Sequence, residues 1–153
     1  MNRLHPRVQV VWVGQAALVA AALAGGVWIV DRVALPLPAF LPAGVFVAVL
    51  AIGLTLAVAR YRLWRYEVRD DAIYLERGVF TRVRTVVPFV RIQHVDSSRS
   101  PVERLIGLAS TVVYTAGSRG ADVTVPGLTP ASADDLRERL KRLAIRAEGE
   151  DAV

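Results

Sequence analysis

His94, Asp96, Ser97, Ser98 and Ser100 bring the residue types of a hydrolase into one short stretch. A serine nucleophile needs a base and an orienting carboxylate that converge in space, together with donors shaped around the developing oxyanion. Neighbours along an extended strand diverge instead, because alternate side chains point to opposite faces. His94 and Asp96 can share a face, yet a polar run leading into a turn accounts for all five residues without an active site. Metal chemistry has even less to work with. His5 and His94 are the only histidines, cysteine is absent, and no acidic spacing resembles a calcium loop. Gly117-Ser118-Arg119-Gly120 is glycine-rich but lacks the Lys-Ser/Thr of a phosphate loop, so it reads as a hairpin turn. No catalytic residue, metal, cofactor or small-molecule substrate is expected.

The remaining chemistry is that of cations. Basic residues outnumber acidic ones by 19 to 14, and all but Lys141 of the basic set are arginine. Arg60, Tyr61, Arg62, Trp64, Arg65 and Arg69 interleave guanidinium groups with aromatic rings, a mixture suited to a membrane headgroup layer. Arg77, Arg82 and Arg84 surround a later hairpin connection, where they would touch anionic lipid or line a solvated strand face. Aromatic residues are not arrayed along a strand as stacking platforms, so nucleic acid is not an expected partner.

Two apolar runs position the first of these groups. The composition is 54% hydrophobic and the mean hydropathy is +0.39, with the apolar character concentrated at residues 8–30 and 39–59. Each run matches the roughly 20 residues needed to cross a bilayer, and neither shows a polar face. The first is too long for the core of a secretory signal, and a second run follows at once. Arg3, His5 and Arg7 precede the first run and the arginines from Arg60 onward follow the second, which predicts both termini in the cytoplasm with a Pro-rich loop outside. Ala17, Ala21 and Gly25, with Ala22 and Gly26, set small residues four apart and allow a second helix to approach, most simply the neighbouring span.

After residue 60 the period changes. Trp64, Tyr66 and Val68 alternate with Arg65, Glu67 and Arg69, which predicts a half-buried strand. Asp70-Asp71 turns the chain into a second strand at 72–77, and further strands are expected at 83–89, 92–96, 110–115 and 122–125. Ser100-Pro101-Val102-Glu103 has the spacing of a capping box with proline at the first helical position, and Gly107 supplies a stop. Pro130 opens a longer helix whose Leu136, Leu140 and Leu143 form an apolar stripe. The expected organisation is a membrane segment at 1–60, a β-rich domain at 61–147 and an acidic, disordered tail at 148–153.

Several spaced elements then agree in order. They are the Trp-Arg-Tyr opening at Trp64, Val87-Pro88, Arg91-Ile92-Gln93, Arg104-Leu105-Ile106-Gly107-Leu108-Ala109 and the closing Leu136 to Leu140 helix. Together with the two preceding spans they resemble the YdbS-like bacterial pleckstrin-homology (PH) membrane proteins. The resemblance implies a membrane α-helical hairpin plus an α+β domain, the latter a PH-like seven-stranded, partly open β-barrel capped by a C-terminal helix. It implies no enzymatic activity. It also implies a protein of the bacterial cell membrane that pairs with another membrane protein or with itself. Arg91, Gln93 and Arg104 belong to the elements carrying the resemblance, so they are candidate partner or lipid contacts or, alternatively, structural residues. The Asp70-Asp71 turn departs from the basic hairpin loop with which eukaryotic PH domains bind phosphoinositides.

Overall fold

A computed structural model describes residues 2–117 and 122–151. The chain divides into two units, one formed by Gln9–Arg62 and the other by the segment ahead of Gln9 together with everything after Arg62.

The first unit holds two long helices, α1 (Val8–Val33) and α2 (Leu41–Leu63), both apolar and long enough to cross a membrane. Few of their side chains are buried, as expected of helices solvated by lipid rather than enclosed in a protein core. Where the helices meet, the seam is made of Ala16, Ala20, Gly53 and Ala57. A Cβ at Gly53 would collide with that of Ala16, while Ala20 and Ala57 are buried. The register of small residues anticipated at Ala17, Ala21 and Gly25 is therefore displaced by one position, and Gly25 and Gly26 have open space around them. At the other end of the hairpin, Asp31 Oδ1 accepts a hydrogen bond from Leu37 N (2.8 Å), which closes the Pro-rich connection.

The second unit is a PH-like domain whose described residues form seven strands in two antiparallel sheets that do not close on each other. One sheet has the order β1-β2-β3-β4, from β1 (Asn2–Arg3), β2 (Arg65–Val68), β3 (Ala72–Arg77) and β4 (Val83–Pro88). The other has the order β5-β6-β7, from β5 (Ile92–Ser98), β6 (Ala109–Thr115) and β7 (Val123–Leu128). A single 3-10 turn, Phe89–Arg91, joins the sheets, and the core between them contains Ile73, Leu75, Phe89, Leu108, Val113 and Val125.

The seventh strand comes from ahead of the membrane segment. Asn2 pairs with Tyr66 and Arg3 with Arg65, and Leu4 and Val8 are buried in the domain. His5 N donates to Gly127 O (2.7 Å), and a Cβ at Gly127 would strike Val8, so β7 accepts this segment only because position 127 has no side chain. The helical hairpin is thus inserted between the first and second strands of the domain, whereas the sequence pattern places residues 1–60 together.

Two helices complete the unit. In α3 (Pro101–Ile106) Ser100 Oγ accepts from Glu103 N, the Glu103 carboxylate accepts from Ser100 N (2.8 Å), and Gly107 ends the helix in the left-handed conformation. All three features are those read from the motif. Helix α4 (Pro130–Asp151) starts at Thr129, whose hydroxyl accepts from Ser132 N, and it buries Ala133, Leu136, Leu140 and Ala144. Thr111 Oγ1 donates to Ala133 O (3.2 Å) and locks its first turn onto β6. The helix continues through residues 148–151, where disorder was expected. Ala144, Arg146, Ala147 and Glu148 are all good helix formers, which outweighs the acidic character of the end.

Candidate functional site

The polar residues of β5 do assemble, but along a groove. His94 Nε2 lies 2.8 Å from Asp96 Oδ1 on the outer face of the strand, with both side chains largely exposed, and the Tyr114 ring stands 5.6 Å from the imidazole. Ser100 has its hydroxyl committed to capping α3. No group of three or more metal-ligating side chains occurs among the described residues.

The groove has a volume of ≈ 450 Å³ and runs between β5 and α4. Ile92, Gln93, His94, Val95 and Asp96 form one wall, while Arg137, Glu138, Lys141, Ala144, Ile145 and Glu148 form the other. Strand β5 is the outer strand of its sheet, and its register shifts between Ile92 and His94 so that Gln93 bulges outward. Such a bulge re-aims a side chain and interrupts the ladder at an edge. Ile145 offers an exposed apolar surface beside the cation of Lys141.

The arginines separate into distinct environments. Arg60 stacks over the Trp12 ring with Cζ 4.4 Å from its centroid, Tyr61 is half-buried and Arg62 is exposed. Trp64, expected in the headgroup layer, is instead buried in the domain at 2% exposure and meets Tyr66 edge to face with centroids 6.4 Å apart. The alternation of β2 decides this, since it turns Trp64 and Tyr66 inward and leaves Arg65 on the other face. Burial raises the Tyr66 phenol above its usual pKa, partly offset by a hydrogen bond with Asn2.

Arg69 has partners of its own within the domain. It lies roughly 13 Å along the chain from Arg65, where it pairs with Glu67 (3.1 Å) and covers the Tyr74 ring. Arg84 pairs with Glu76 across the β3–β4 hairpin (2.7 Å). Arg77 and Arg82 flank that hairpin's tip, exposed and without an ion pair to any described acid. Arg91 and Gln93 do not share a strand face, because Arg91 belongs to the 3-10 turn and Gln93 to the bulge. Arg104 is exposed on α3. Carbonyls at and just after the end of that helix accept from other arginines: Ile106 O from Arg7 Nη1 (3.5 Å) and Leu108 O from Arg99 Nε (3.4 Å). Neither contact is legible in the sequence, where Arg7 reads only as a flank of the first apolar run. The candidate turn at Gly117-Ser118-Arg119-Gly120 lies largely outside the described residues.

Glu103 is the carboxylate with the clearest electrostatic signature. Burial alone would raise its pKa, but hydrogen bonds from Ser110 Oγ and from Ser100 prevail and hold it below the usual range. It thereby ties the start of α3 to β6, a structural duty.

Two apolar helices spliced into an open, helix-capped pair of sheets define a membrane protein that carries a PH-like domain. The chain belongs to the bacterial PH domain family, whose model matches residues 8–144. It is 37% identical over 106 residues to the UPF0699 transmembrane protein YdbS of Bacillus subtilis (strain 168), a match covering 66% of this chain and 65% of that protein. It is 28% identical over 105 residues to the UPF0699 transmembrane protein YdbT of the same organism, covering 67% of this chain but 21% of that longer protein. The chain thus matches less than two thirds of the length of either relative. No solved structure matches it significantly.

Proposed function

We propose that the chain is a non-enzymatic, multi-pass scaffold of the bacterial cell membrane, with both termini in the cytoplasm, whose PH-like domain recruits another membrane protein. The observation that carries this reading is the groove between β5 and α4. It joins an edge strand with a bulged Gln93 to an exposed Ile145 and a Lys141 cation, the combination of apolar anchor and polar rim that protein interfaces use. The relation to a longer transmembrane protein, only part of which this chain matches, supports a module used alongside others. The charge distribution supports the orientation. Arg3, Arg7, Arg60, Arg62 and Arg65 flank the apolar helices on the domain side, while Arg32 in the last turn of α1 is accompanied by Asp31 at 4.0 Å.

Photo-crosslinking in native membranes tests the reading. A benzophenone side chain at position 93 or 145 should give the same adduct with a membrane protein, or with a second copy of this chain, and one at exposed position 139 should give none. Recovery of a solitary monomer with no adduct from either groove position would refute it.

A further inference from the structure

Phe80 and Leu105 are the most exposed large apolar side chains described in the domain, at 89% and 87%. Left in water, each forgoes the gain of burial, and neither lies on the groove. Both belong to segments tied to the place where the chain passes between the domain and the apolar helices. On the sheet, Arg65 is opposite Glu76, so β3 running past Glu76 carries its hairpin tip beyond Trp64 and Leu63, the residue at which α2 ends. Leu105 sits one residue before Ile106, whose carbonyl meets Arg7, and Arg7 immediately precedes the start of α1.

The tip is shaped to expose its phenyl ring. Gly78 has φ +108°, and a Cβ there would run into Thr81 O, so the turn is tight and carries Phe80 outward between Arg77 and Arg82. Cations also meet on the adjoining strands, where Arg3 and Arg65 stand directly opposite each other, a destabilising pairing unless anions lie nearby. The neighbouring acid, Glu76, is already held by Arg84.

We propose that this end of the domain docks on the bilayer itself, with Phe80 and Leu105 entering the boundary between headgroups and acyl chains and Arg77 and Arg82 binding anionic headgroups. Continuity with the helices that enter the same bilayer and the surplus of positive charge select lipid as the occupant. The contact is separate from the groove and does not depend on what binds there. The fraction of docked domain then rises with the anionic lipid content beneath it.

The absence of cysteine makes the test direct. Full-length protein with a single cysteine at position 80, 105 or 71, the last at the opposite end of β3, is labelled with an environment-sensitive fluorophore. It is then reconstituted in phosphatidylcholine vesicles with or without phosphatidylglycerol. Nitroxides on the lipid chains should quench positions 80 and 105 but not 71, most strongly with phosphatidylglycerol present. The double variant Arg77→Gln, Arg82→Gln should lower the ratio of docked to undocked domain by about 30-fold, from the known strength of arginine attraction to anionic leaflets. Quenching of 80 and 105 by aqueous iodide as readily as 71 would overturn the proposal. So would shielding of both positions from either quencher, which would place them against a second copy of the chain.

Discussion

Replacing Gln9–Arg62 by a short glycine-serine linker should leave a folded, soluble domain, whereas a chain starting at Leu63 should not fold stably. The difference is the segment carrying β1. Leu4 and Val8 are 2% and 3% exposed, and burying each contributes about 1.5–3 kcal/mol. The His5 N to Gly127 O hydrogen bond adds about 0.5–1.5 kcal/mol. Together these reach roughly 3.5–7.5 kcal/mol, against about 5–15 kcal/mol for a typical domain. Eight flexible residues span about 16 Å on average, and the contact between Trp12 and Arg60 shows that the chain leaves and returns close together. The assay is urea unfolding followed by Trp64 fluorescence, since the other two tryptophans, Trp12 and Trp28, are removed with the helices. The linked domain should unfold cooperatively, and Leu4→Ala within it should cost about 2–5 kcal/mol. An equal urea midpoint for the fragment starting at Leu63 would refute the reasoning.

Further outcomes follow from single contacts. Ser100→Ala removes the cap of α3 and should lower stability by about 1 kcal/mol in the same urea assay. Glu103 has a folded pKa below its unfolded value of about 4.3, so its contribution is present above that pH and is lost as pH falls through the lowered value; Glu103→Gln should flatten this acid limb. Tyr66, with its pKa raised, stabilises the fold below its unfolded value of about 10 and loses that effect as pH rises further, so Tyr66→Phe should remove an alkaline loss of stability seen by circular dichroism. Gly53→Leu should splay the helical hairpin, detected as weaker disulfide formation between cysteines placed at positions 20 and 49, while Gly25→Leu should have no such effect.

Features governed by local rules were legible in the sequence. The capping box from Ser100 to Glu103, the stop at Gly107 and the leucine stripe from Leu136 need only a few adjacent residues to define them. The two apolar helices are equally plain, because lipid tolerates no polar face. The pairing of Asn2 and Arg3 with β2 was not legible, since a two-residue strand has no period and its partner lies more than sixty residues away. That pairing also explains the misplaced Trp64. Composition alone puts an aromatic beside arginines at a membrane surface, but with β1 alongside, the inward face of β2 becomes core. Arg69 shows the same limit, because proximity in sequence to a span does not reveal its partners Glu67 and Tyr74 within the domain. The outward placement of Phe80 depends on the Gly78 turn and the β3–β4 register, neither of which composition reveals.

The proposed placement of the PH-like domain at the inner face of the cell membrane is most directly measured with one cysteine, introduced as Arg139→Cys in an otherwise cysteine-free chain. A membrane-impermeant maleimide should label it in inside-out vesicles, and intact cells should protect it until they are permeabilised. Labelling in intact cells, or recovery of the protein in the soluble fraction after cell breakage, would contradict the account.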